Sequence, residues 1–299
     1  MQTPKNMETN NIPKHTYTIE WVYGDKNIPI EILLLPNSNQ VVINLHGTFW
    51  SIHGSQDKYL QFWEGLVQRK VANVVLYQTS RKNVPADPEI TDRYKQKQAK
   101  FIWKTFQNEL EDVRRVVTDI VWNSQKLFWV PSDELEITLN GNSLGGIIAF
   151  YLASEFPQIK NIVSAGTGLR VEIKDVPILD TFPHKDELIA KLQAFQWKYL
   201  QFYGTQDDVF TLQSFFDLLE QVWSIQDNKS NVELIGCDHT FWKVDGETST
   251  LPYTKVLDGV EMLLHQKLLV SWSSNLLNKV QTSVQPFKSH VDEALWARI

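Results

Sequence analysis

Apolar residues along the chain recur in two rhythms. Residues 16–24 (TYTIEWVYG) and 27–35 (NIPIEILLL) are β-rich runs separated by Asp25-Lys26, which predicts an antiparallel hairpin. Residues 40–45 (QVVINL) and 73–77 (NVVLY) are short, continuous and β-branched, as strands buried on both faces are. Residues 135–139, 160–165, 197–203 and 232–235 read as further strands. Between them the spacing turns helical. Tyr59, Leu60, Trp63, Leu66 and Val67 line one face over 57–70. A single long helix over 95–125 is predicted to bury Ile102, Trp103, Phe106, Leu110, Val113, Val117 and Ile120. Helices over 144–156, 212–225 and 254–269 follow, the first ended by Pro157. An opening hairpin and then alternating strands and helices predict an α/β fold. Its sheet should be twisted and mostly parallel, with helices on both faces.

Four regions fall outside this alternation. Residues 80–94 and 167–194 follow predicted strand ends, where insertions tend to cover a ligand site, so both are lid candidates. Residues 270–299 hold two amphipathic segments, one with Trp272, Leu276, Leu277 and Val280, and are read as a C-terminal helical extension. The first 15 residues are polar, contain two prolines and lack the apolar stretch of a secretory signal, which reads as a disordered start.

Composition narrows the function classes. The 299 residues carry 29 Lys plus Arg against 35 Asp plus Glu, a net charge of −6, which argues against general nucleic-acid binding. The one cysteine, Cys237, excludes an intramolecular disulfide framework and a cysteine-based zinc site. No run approaches the roughly 18 apolar residues of a spanning helix, so a cytoplasmic protein is expected.

The strongest chemical signal is GNSLGG at 141–146, a G-x-S-x-G pattern where a strand should meet a helix. Such a turn lifts the central Ser143 hydroxyl above the sheet edge, and the helix N-terminus behind it favours negative charge. An ordinary glycine-rich helix start has the same composition, so downstream partners must decide. A serine needs a base to take its proton and a third group to orient that base. Gly204-Thr205-Gln206-Asp207-Asp208 and Gly236-Cys237-Asp238-His239 each follow a predicted strand. The order Ser143, Asp207, His239, with separations of 64 and 32 residues, leaves room for intervening α/β units. Asp208 competes with Asp207 for the acid role.

At these residues the chain resembles the α/β-hydrolase fold superfamily over roughly 16–269. The resemblance implies a single domain there and a nucleophile elbow at Ser143. It favours Asp207 over Asp208 as the acid and makes His239 the base. It also places an oxyanion loop at His46-Gly47-Thr48. Backbone N–H groups of Leu144 and Thr48 would be the oxyanion donors, with Phe49 the alternative to Thr48 and His46 bracing the loop. Phe49, Trp50, Phe241 and Trp242 flank the site in sequence and are candidate pocket walls, although core packing would use such residues equally well. Six basic residues over 80–100, among them Arg81, Lys82 and Arg93, form a possible cationic rim or a merely solvated surface. The expected activity is cofactor- and metal-independent cleavage of a carboxylic ester in a small-molecule acyl substrate. Acyl transfer, peptide cleavage and non-catalytic small-molecule binding stay open, as does the oligomeric state.

Overall fold

The computed structural model describes residues 12–20, 27–48, 51–54, 58–81, 84–85, 87–91, 93–169, 177–222, 229–241 and 251–265. Its strands are β1 (Lys14–Ile19), β2 (Ile28–Leu33), β3 (Gln40–Leu45), β4 (Asn73–Tyr77), β5 (Glu136–Asn142), β6 (Ile159–Ala165), β7 (Lys198–Gly204) and β8 (Lys229–Leu234). They form one eight-stranded sheet in the order β1-β2-β4-β3-β5-β6-β7-β8. The β1–β2 and β2–β4 pairs are antiparallel and the remainder parallel. β1 begins at Lys14, inside the segment read from sequence as a disordered start.

The helices are α1 (Lys58–Gln68), α2 (Arg93–Gln98), α3 (Phe106–Trp122), α4 (Ser124–Phe128), α5 (Leu144–Ala153), α6 (Pro177–Asp180), α7 (Lys185–Ala194), α8 (Leu212–Gln221) and α9 (Leu251–Leu264). Strand side chains alternate between faces, so each central strand feeds two apolar layers. Val41, Ile43, Ile137 and Leu139 pack with α3, α5, α7 and α8 on one face. Val42, Val163, Leu200 and Phe202 pack with α1 and α9 on the other. α5 is apolar all round, as a helix buried against both sheet and neighbouring helices should be.

Two sequence expectations change. The single long helix is broken: a short 3-10 turn (Ala99–Phe101) ends α2, and α3 starts afresh after Thr105. Thr105 and Asn108 form a capping box, each side chain bonded to the other's backbone N–H. Ile102 and Trp103 therefore do not share the buried face, being 43% and 78% exposed. Second, not all of 167–194 lies over the sheet edge as a lid would. α7 is the crossover that parallel β6 and β7 require, and its Leu188 and Leu192 sit in the core. The proposed C-terminal extension, 270–299, lies outside the described residues.

Candidate active site

The ends of β5, β6, β7 and β8 converge on the residues singled out by the sequence. Ser143 stands between β5 and α5 with φ 52° and ψ −117°, a conformation that a non-glycine residue adopts only where its surroundings enforce it. Enforcement comes from close packing. A Cβ at Gly145 would lie 2.3 Å from the Leu45 carbonyl oxygen, and one at Gly146 would lie 2.2 Å from Thr167 Oγ1. The Ser143 N–H donates to the Ala165 carbonyl at 2.9 Å, and its own carbonyl accepts from Thr167 Oγ1 at 2.9 Å.

Asp207 and His239 are brought together. His239 Nδ1 is 2.9 Å from Asp207 Oδ2, and the two side chains are 10% and 1% exposed. The other carboxylate oxygen, Oδ1, accepts the N–H groups of Val209 and Phe210, each at 2.8 Å. A buried carboxylate is thus fully partnered and aimed at one imidazole nitrogen. Asp208 is exposed instead. The loops are tied to each other by Gln206 N–H to the Cys237 carbonyl at 3.0 Å. Asp238 accepts from the Thr240 N–H and hydroxyl, which shapes the turn carrying His239. Gly166 links both halves. It follows Ala165, which holds the Ser143 N–H, and a Cβ on it would lie 3.3 Å from His239 Nδ1 and Cε1.

His46, Gly47 and Thr48, read from the sequence as an oxyanion loop, are buried. Thr48 lies three residues beyond Leu45, whose carbonyl meets Gly145 in the first turn of α5. Leu144 opens that helix, where N–H groups have no intrahelical acceptor. His46 Nε2 accepts from the Thr79 N–H at 3.3 Å while Nδ1 lies 3.0 Å from the Gly47 carbonyl, an arrangement that fixes the Nδ1–H tautomer. Burial, and secondarily the Arg81 guanidinium, lowers the His46 pKa to about 4. His46 is therefore neutral at pH 7 and holds its own loop.

Other candidates fare differently. Phe241 is buried in the apolar layer with α1 and α9. Phe49, Trp50 and Trp242 lie outside the described residues. Arg81, counted in the possible cationic rim, is turned inward over the Phe101 ring, 4.6 Å from its centroid. Among the described residues, no group of three or more His, Cys, Asp or Glu side chains is placed to hold a metal ion. None of the described helices is long and apolar enough to cross a membrane.

Sequence reasoning missed Asn44 and Thr167. Asn44 Oδ1 accepts from Asn142 Nδ2 at 3.0 Å, joining the end of β5 next to Ser143 to β3 just before His46. An amide set between apolar residues, Ile43 and Leu45, was the available signal. Thr167 had none, because its partner is a main-chain oxygen.

No family model and no curated protein matches the chain. Solved structures do. An esterase domain from Rhodothermus marinus aligns over 84% of this chain and 97% of its own, with TM-score 0.53 and 16% identity. A cold-adapted esterase from an Arctic intertidal metagenomic library aligns over 88% and 98%, with TM-score 0.59 and 13% identity. A dienelactone hydrolase from Anabaena variabilis aligns over 86% and 99%, with TM-score 0.57 and 15% identity. The chain has the α/β-hydrolase fold.

Proposed function

We propose that the chain is a serine hydrolase that cleaves a carboxylic ester of a small molecule. The observation that carries this reading is the buried Asp207–His239 pair beside Gly166, one residue from the carbonyl that anchors the strained Ser143. The names of the similar structures, esterases and a dienelactone hydrolase, support the same class.

With Nδ1–H donated to Asp207, His239 presents Nε2 as a base. Ser143 Oγ attacks the ester carbonyl and its proton passes to Nε2. Asp207 stabilises the imidazolium, and the tetrahedral oxyanion is met by the N–H groups of Leu144 and Thr48. Collapse expels the alcohol, which takes the proton from Nε2 and leaves an acyl ester on Ser143. Water then attacks that ester and gives a proton to His239 Nε2; collapse releases the carboxylic acid as Nε2 returns the proton to Ser143 Oγ.

A fluorophosphonate probe tests this. The native protein should label covalently, and Ser143→Ala should not. Labelling that persists in Ser143→Ala, or that never occurs on folded wild type, would overturn the reading.

A further inference from the structure

Three consecutive residues sit where their chemistry would not send them. Ile102 and Trp103 face solvent, while the next residue, Lys104, is wholly buried. Trp103 has φ +67°, in the left-handed region, which costs an L-residue about 1–2 kcal/mol. An ammonium taken out of water costs several kcal/mol more before its partners offset it. Stability alone favours the reverse arrangement, with the indole inside and the ammonium outside.

The turn delivers Lys104 Nζ to the chain leaving β4. There it donates to the Ser80 carbonyl, lies 2.7 Å from Asp112 Oδ2 and pairs with Glu109. Asp112 Oδ2 also accepts the Ser80 N–H and hydroxyl, each at 2.7 Å. The Ser80 peptide groups are thus fixed from both the donor and the acceptor side. Its neighbour Thr79 reaches the loop, donating its N–H to His46 Nε2. His46 in turn meets the Gly47 carbonyl. The cations Arg81 and Lys104 are matched by the anions Glu109 and Asp112, so the cluster acts through geometry rather than through a net field.

We propose that Lys104 is a positioning residue for the oxyanion hole, clamping residues 79–81 so that His46 holds the Gly47–Thr48 backbone in place. This rests on the reading of Thr48 as an oxyanion donor. Lys104 touches no substrate and works through Ser80, Thr79 and His46.

The test uses the double variant Lys104→Met/Glu109→Gln, which conserves volume and removes one charge of each sign. Lys104→Met alone would leave an unmatched buried carboxylate and report mainly on folding. Two measurements are made on folded protein: kcat and KM for p-nitrophenyl acetate, and hydrogen exchange at residues 46–48 and 144–153 by mass spectrometry. The proposal expects kcat to fall about tenfold to a hundredfold with KM nearly constant, as a displaced donor would cause. It also expects faster exchange at 46–48 with 144–153 unchanged. Wild-type kcat, or unchanged exchange at 46–48, overturns it even if Tm falls. A wild-type protein that neither turns over ester nor labels at Ser143 refutes the hydrolase reading, and the exchange comparison still decides whether Lys104 holds the loop.

Discussion

His46 shows how one side chain ties local chemistry to stability. It is held neutral because its ring is buried and Arg81 stands beside it, with a pKa of about 4 against an ordinary 6.5. The unfolded chain therefore binds a proton that the folded chain refuses between those two values. Stability from this residue is complete above pH 6.5 and drains away as pH falls towards 4, by about 3 kcal/mol over that interval. Tm measured from pH 7 to pH 4 should drop more steeply for wild type than for His46→Gln. Equal slopes would show that His46 is not the group responsible. The same residue scale explains which site residues were legible. Ser143, Asp207 and His239 each stand in a short motif of fixed chemistry after a strand. Thr167 and Lys104 contact main-chain oxygens, and no local pattern marks such partners.

Helix α3 is the element where periodicity misled. Apolar spacing runs through Ile102 and Trp103 into Phe106 without a visible break, so one helix is the natural prediction. The break is written in Thr105 and Asn108 instead, because their reciprocal side-chain bonds satisfy backbone donors that a helix start leaves open. Thr105→Ala should cost about 1 kcal/mol in urea denaturation. A null effect would mean that tertiary contacts alone set where α3 begins. α7 was missed for the opposite reason: its apolar stripe is narrow, and only the demand of a parallel crossover between β6 and β7 makes its helix necessary.

Across the whole molecule, two apolar layers enclose a sheet whose strand ends carry the chemistry. Phe202, wholly buried on β7, faces α9 and lies two residues before Gly204, where the chain turns towards Asp207. Phe202→Ala should destabilise the protein by roughly 3–5 kcal/mol, read as a shift in denaturant midpoint. A shift below about 1 kcal/mol would mean that the layer collapses around the cavity or is loosely packed there. The sequence by itself determined the alternation of strands and helices and the placing of Ser143, Asp207 and His239 each just after a strand, because each depends on neighbours a few residues apart. Only the tertiary structure decided that Asp207 rather than Asp208 meets His239 and that Phe241 belongs to the core. It also decided that Lys104 lies inside while Trp103 lies outside. Those outcomes depend on which distant chain segments meet, and burial can reverse what a side chain's own polarity would choose.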